Sequence, residues 1–236
     1  GPLVYRGRSD HFEPMPNPER PNSPESLPER IPVFPLAGAI LLPGGRLPLN
    51  IFEPRYLAMT RDAMSGARMI GMIQPKDDER GDGRTPDIYS VGCLGRVVEF
   101  SETGDGRYLI ALAGVCRFRV TEELECDTAY RQVLAGYEDF KDDFADGDGP
   151  QGVDREQLHE ALKGFLDLRG LKADWDAARR ASDTVLVNSL SMMLPFGPPE
   201  KQALLEAGSV AARAEVMTAL MRMALIEGDD GGSAVQ

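Results

Sequence analysis

The sequence predicts an α+β chain, a small β-barrel followed by a helical bundle. Three observations point there. Between residues 31 and 140, short apolar segments recur and are separated by glycine-rich turns, the pattern of a closed or nearly closed barrel. An acidic, glycine-rich run then spans residues 142–152. Beyond it, apolar residues recur at the three- and four-residue spacing of helices. The expected divisions are a disordered tail over 1–30, the barrel over 31–140, the bundle over 153–227 and a second tail over 228–236. A chain of 236 residues is long enough for one large domain or two small ones.

Each element has a local reason. Residues 1–30 are rich in Pro, Glu, Arg, Ser and Asn and hold few large apolar groups, so they cannot offset their ordering entropy. The chain opens on Gly-Pro, and Met15 is the expected native start. "IPVFPL" and "LPLNIF" read as strands split by Gly44-Gly45, and Pro32, Pro35 and Pro48 make them edges or bulged strands. On one alternation, Phe34, Leu36, Leu47, Leu49 and Ile51 share an inward face. Pro54 opens a helix at its first turn, with Leu57, Thr60, Ala63 and Met64 at helical spacing and Gly66 closing it. Glu53 places negative charge at the positive helix end, and Arg55 and Tyr56 tie the helix to the barrel. "RMIGMIQ" is the next strand, followed by the polar loop "PKDDERGDGRTPD". A hairpin turns at Gly104-Asp105-Gly106, and "YRQVLAGYE" is the last strand.

In the second half, Asp154 with Gln157 resembles a capping box, and Gly170 ends the helix. Its apolar face is Leu158, Ala161, Leu162, Phe165 and Leu166. "DWDAARRAS" is a short helix with the only Trp. "SDTVLVNSLSMMLPF" follows, with Val185, Leu186, Leu190, Met193 and Leu194 as its apolar set. "PPEKQALLEAG" starts with prolines and ends at Gly208, as helices do. "VAARAEVMTALMRMAL" is the last helix. The methionines at 192, 193, 217, 221 and 223 read as core.

The composition excludes several functions. A formal net charge of −12 argues against a partner made of phosphate, although Arg117, Arg119 and Arg131 remain candidates for a local basic patch. Three cysteines without C-x-x-C, namely Cys93, Cys116 and Cys126, form neither a zinc site nor a disulfide framework. Two buried strand thiols and one loop thiol fit a reducing, cytoplasmic setting. No run reaches the ~18 apolar residues of a membrane span. No P-loop, dinucleotide fingerprint or G-x-S-x-G elbow occurs. The glycine-rich run 142–152 offers no calcium register, since Phe144 and Pro150 stand where oxygen ligands belong. His11 lies in the tail and His159 on a charged helix surface. Lys76 and Lys141 lie in loops, and Lys163, Lys172 and Lys201 on helix surfaces, so no Ser-Lys pair is expected. The expectation is a chain with no catalytic residues, metal ligands or cofactor.

One order of segments carries more. "IPVFPL…LLPGG…LPLNIFEPRY", then "RMIGMIQP", "YSVGCLGRVVEF", "GRYLIALAGVCRFRV" and "YRQV", resembles the N-terminal substrate-binding domain of Lon proteases, in its stand-alone bacterial form. The helical half, with "LVNSLSMMLPFGPPEKQALLEAG", is similar to the bundle that follows in that family. The resemblance runs from about Ile31 to Ile226 and implies a PUA-like β-barrel and contact with protein substrates. It brings no active site, because the family's ATPase and Ser-Lys peptidase modules are distinct from this region.

The functional expectation is a non-catalytic module that binds exposed apolar or unfolded polypeptide segments, as an adaptor in protein quality control beside a protease or chaperone. The peptide has two routes, addition to a strand edge or an apolar groove. The candidate contacts are Ile40, Leu41, Leu42 and Pro43, where strand alternation fails and apolar residues run consecutively. Glu53, Pro54, Arg55 and Tyr56 are read as a structural motif. The alternatives are an RNA-binding PUA-like module and a small-ligand-binding domain. No nucleic acid or membrane partner is expected.

Overall fold

A computed structural model of the chain describes residues 13–14, 21, 23–76, 86–145 and 151–232. Met15, His11 and the centres of the polar loop and acidic linker lie outside them. The chain divides into two compact units, Gly1–Ala145 and Asp146–Gln236.

The first unit holds seven strands and one α-helix: β1 (Glu13–Pro14), β2 (Arg30–Pro35), β3 (Arg46–Ile51), α1 (Pro54–Ser65), β4 (Met69–Ile73), β5 (Val91–Glu102), β6 (Tyr108–Leu124) and β7 (Gln132–Gly136). The sheet order is β1-β5-β4-β2-β7-β6-β3, and β5 also pairs with β6. Five strands therefore pair in a cycle, β5-β4-β2-β7-β6 and back to β5. β2 and β4 run parallel and the other pairs antiparallel. β1 and β3 are the two ends of the order, outside the cycle.

β2 corrects the reading of proline-bearing strands as edges, because it lies inside the cycle. Its prolines stand at ladder ends instead. Pro32 is the last residue paired with β7, opposite Gln132, and Pro35 the last paired with β4, opposite Ile73. Neither position demands an N–H in the middle of a ladder. The inward alternation also differs. Ile31 and Val33 are the fully buried residues of β2, and Phe34 buries on the other side, 4.2 Å ring to ring from Tyr56 of α1. Leu36, Leu47 and Leu49 are only half-buried, whereas Ile51 is buried. The long hairpin is as expected, with Thr103 N–H donating to the Arg107 carbonyl at 2.9 Å and Gly106 at φ +79°.

Parts of the expected N-terminal tail are structured. Glu13 and Pro14 pair with Phe100 and Glu99 of β5. Residues 24–26 form a 3-10 turn, Leu27 is buried and the Tyr137 hydroxyl donates to the Pro28 carbonyl at 2.7 Å. These anchors supply the burial that the composition of the segment hides.

The second unit contains α2 (Arg155–Arg169), α3 (Trp175–Arg180), α4 (Asp183–Met193), α5 (Pro198–Glu206) and α6 (Val210–Gly232). α2, α4 and α5 all pack on α6. α2 buries the five residues expected of it, Asp154 accepts from Gln157 N–H at 3.0 Å, and Gly170 sits at φ +63°. That backbone bond is the first cause of the lowered Asp154 pKa. The expected tail from 228 is instead helical through Gly232, a continuation of α6.

The inward face of α4 differs from the expected set, because its apolar residues stand on more than one side of the helix. Val187, Asn188, Leu190 and Ser191 face inward, and Val185 and Met193 face outward. The buried polar pair is satisfied: Arg213 Nη1 donates to Asn188 Oδ1 at 2.9 Å, and Ser191 Oγ to the Val187 carbonyl at 2.8 Å. The methionine stripe divides likewise, since Met217 and Met221 are core but Met193 and Met223 are exposed.

Lys201 is a second correction, because it is 2% exposed rather than on a helix surface. Its Nζ donates to the Ser191 and Met192 carbonyls at 2.7 and 2.8 Å. Arg213, also buried, donates from Nε to the Leu204 carbonyl at 2.7 Å. The two cations thus close the ends of α4 and α5, where helix carbonyls lack partners and the dipole is negative. Burial pulls the Lys201 ammonium down to about 8.

Candidate functional site

Three of the four residues expected to meet a client are core. Leu41 and Leu42 are fully buried, Ile40 is 2% exposed and Pro43 is half-buried. The reason lies in two glycines of the neighbouring strands. Gly95 and Gly114 face each other across the β5–β6 ladder. A Cβ on Gly95 would stand 2.7 Å from Leu41 Cδ2, and one on Gly114 only 2.0 Å from the Leu42 carbonyl oxygen. The missing side chains leave a notch, and the run 40–42 fills it. Gly44 completes the turn at φ +75°, its N–H donating to the Gly114 carbonyl at 2.9 Å. The signal was present as two glycines on adjacent strands, but their pairing is a matter of register that sequence does not give.

The motif at 53–56 stands at the start of α1. Pro54 occupies the first helical position, and the backbone carbonyl of Glu53 accepts from Tyr56 and Leu57. The Glu53 carboxylate pairs with Arg55 at 2.8 Å, and the Arg55 guanidinium lies 4.6 Å from the Tyr56 ring centre. Tyr56 then packs on Phe34. At the other end of α1, the Tyr130 hydroxyl donates to Asp62 at 2.7 Å. Burial, and then that bond, push the Tyr130 phenol up to about 12.

The surface left beside these core pieces is β3. It pairs residue by residue with β6, from Arg46 opposite Ala113 to Ile51 opposite Tyr108. As the end of the sheet order it has no second strand partner among the described residues. Pro48, opposite Ala111, has no N–H to give β6, which fits an outward backbone position in an unbroken ladder. Backbone groups alternate along a strand, so Arg46 and Asn50 point theirs the same way as Pro48. Leu47 and Leu49 are half-buried. Phe52, one residue past the strand, is 57% exposed, with Arg107 5.9 Å from its ring centre. Asn50 Oδ1 is buried and accepts no hydrogen bond among the described residues. The edge therefore presents backbone groups, two half-buried leucines and an exposed aromatic ring.

The three arginines weighed as a basic patch are each paired with a carboxylate. Arg117 makes a buried, two-pronged pair with Asp143 at 2.8 to 3.2 Å, while Arg119 meets Asp139 at 2.8 Å and Arg131 meets Glu123 at 2.6 Å. Cys93 and Cys116 are buried and Cys126 half-buried, all three as free thiols. His159 is exposed and packs on Trp175 at 4.5 Å. No group of three or more His, Cys, Asp or Glu among the described residues is arranged to hold a metal ion. No helix of the described residues is long and apolar enough to cross a membrane.

The profile of the ATP-dependent protease La (LON) substrate-binding domain matches residues 30–223. The chain belongs to the Lon substrate-binding domain family. The match spans both units, and it is to the substrate-binding domain rather than to the protease part. Lon protease 2 of Myxococcus xanthus is 32% identical over 98 residues, 42% of this chain and 12% of that protein. Lon protease of Parabacteroides distasonis is 28% identical over 201 residues, 80% of this chain and 23% of that one. The chain thus spans less than a third of the length of these relatives. Two solved structures share the fold. The Lon N-terminal domain protein from Xanthomonas campestris has a TM-score of 0.56 at 23% identity, covering 80% of this chain and 97% of that one. The N-terminal domain of Mycobacterium avium complex Lon protease has a TM-score of 0.59 at 16% identity, covering 82% and 98%.

Proposed function

We propose that this Lon-family chain is a non-catalytic module that binds exposed apolar or unfolded polypeptide segments, and that a segment docks by adding a strand along β3. The observation that carries this reading is β3 itself, a sheet-end strand with half-buried leucines and an exposed Phe52 at its end. Strand addition obtains affinity from main-chain hydrogen bonds and selectivity from alternate side chains, so it tolerates many client sequences. The cycle of five paired strands supports reading the first unit as a PUA-like barrel. A barrel removes its internal edges, which leaves the appended end strands as the places for pairing. The domain divisions proposed are a barrel over 31–140 and a bundle that begins at 153 and takes in the rest of α6 through Gly232. The setting proposed is the bacterial cytoplasm, beside a protease or chaperone.

Anisotropy titration tests the reading, with a labelled unfolded apolar peptide and a labelled RNA oligomer at physiological salt. The peptide binds weakly, and Phe52→Glu weakens it about tenfold while leaving the far-UV spectrum intact. RNA binding tighter than peptide binding overturns the reading. Equal peptide affinity in the Phe52 variant moves the site away from β3.

A further inference from the structure

Among the described residues, the arginines of the first unit are matched except at the exposed Arg61 and at two others. Arg30 donates to Gln132 Oε1 at 2.7 Å, Arg46 pairs with Glu99, and Arg117, Arg119 and Arg131 each hold a carboxylate. Arg68 and Arg96 differ. Among the described residues, neither side chain has a hydrogen-bond or ion-pair partner. They are nonetheless neighbours. The Val97 N–H donates to the Arg68 carbonyl at 2.8 Å, and Met69 faces Arg96 in the β4–β5 ladder. Both are half-buried.

Three costs converge at this point. Burial is the first cause holding the Arg96 pKa below its ordinary value, and the charge of Arg68 is the second. Two like charges thus share one partly desolvated place, where their repulsion is less screened than in water. Arg68 also adopts a left-handed backbone, φ 57°, the only non-glycine residue to do so among those described. That conformation is unfavourable for an ordinary side chain. The carboxyl end of α1 lies just before Arg68, whose N–H donates to the Ala63 carbonyl at 2.9 Å. A helix end favours one nearby cation. It gives no reason for a second guanidinium across the ladder.

We infer that Arg68 and Arg96 form a carboxylate-binding subsite, which takes an acidic side chain or the terminal carboxylate of a bound polypeptide. A carboxylate between two guanidinium groups removes their repulsion and accepts from planar donor forks on both sides. The subsite also fits the global charge. A chain of −12 repels acidic segments at long range, so accepting one needs a local cationic place. The source of the ligand rests on the polypeptide-binding reading, but the anion chemistry has its own readout.

That readout is NMR of the arginine Nε–H groups in the full chain. The probes are N-acetylglycine for a terminal carboxylate, N-acetylaspartate amide for a side-chain carboxylate, and inorganic phosphate. The expected result is a saturable shift of the Arg68 and Arg96 signals by at least one carboxylate, with Kd on the order of 10 mM for so small a ligand. The tighter of the two carboxylates identifies the source. Arg68→Gln and Arg96→Gln each weaken the binding about tenfold, with folding checked by circular dichroism. Absence of a saturable shift overturns the subsite, as does unchanged affinity in both variants. Phosphate binding about tenfold tighter than both carboxylates overturns the assigned ligand class. Failure of the anisotropy titration with the unfolded peptide leaves this measurement unaffected, so the two readings fail separately.

Discussion

Leu41→Ala separates core from contact surface. Leu41 is fully buried, and its neighbours across the notch are the backbones of Gly95 and Gly114. Truncating a buried leucine to alanine costs about 2–5 kcal/mol, and the value rises where the surroundings cannot collapse into the cavity. Here the floor of the cavity is strand backbone, held by the β5–β6 ladder and by the bonds between Gly44, Gly45 and Gly114 at 2.8–2.9 Å. Little can move inward, which places the cost in the upper half of that range. For a chain of this size, each 1 kcal/mol lowers Tm by about 2–4 °C, so a drop of roughly 10 °C is expected. Thermal unfolding followed by far-UV circular dichroism measures it. A drop under about 2 °C, accompanied by weaker peptide binding, refutes the packing argument and restores the 40–43 run as a client surface.

Further outcomes follow from the same packing and charges. Gly114→Ala drives a Cβ into the Leu42 carbonyl, which is backbone and cannot rotate away, so it lowers stability by about 1–3 kcal/mol or more in urea titration. Asp143→Asn removes the carboxylate charge that pairs with the buried Arg117 and costs about 3–5 kcal/mol in the same assay. Lys201 gives a pH signature. Its folded pKa of about 8 is below the unfolded value of 10.5, so across pH 8 to 10.5 the unfolded chain binds more protons than the folded one. Stability of the helical unit therefore rises with pH in that window. Trp175 is the only Trp, and residues 146–236 hold no Tyr or Cys, so its fluorescence in urea reports this unit with few other titrating groups. Lys201→Met removes the rise.

What the sequence made legible was whatever depends on near neighbours. Pro54 at a helix start, the Asp154 cap, Gly170 at a helix end, the Gly104–Gly106 turn and the five-residue face of α2 are all set within a few residues, and each is found as expected. Features that depend on distant pairing were hidden. The notch at Gly95 and Gly114 exists only because those strands meet in one register, and it turns an apparently exposed apolar run into core. Lys201 read as a surface charge because the carbonyls it closes belong to another helix end. Pro32 and Pro35 read as edge markers because one strand can change partners between its halves, and sequence does not show where. For the site, edge addition was foreseeable from Pro48, but the particular residues were not. Phe52 was read only as the end of a strand, and Arg68 owes its interest to a backbone angle.

Hydrogen–deuterium exchange of the full chain, with and without a saturating unfolded polypeptide, tests the central claim most directly. Strand addition along β3 predicts slowed exchange at the outward-facing amides of Arg46 and Asn50, with protection centred on Arg46–Phe52 and none gained at the buried run 40–42. Protection confined to other elements, or no protection of β3 at a polypeptide concentration that saturates the anisotropy signal, contradicts the claim.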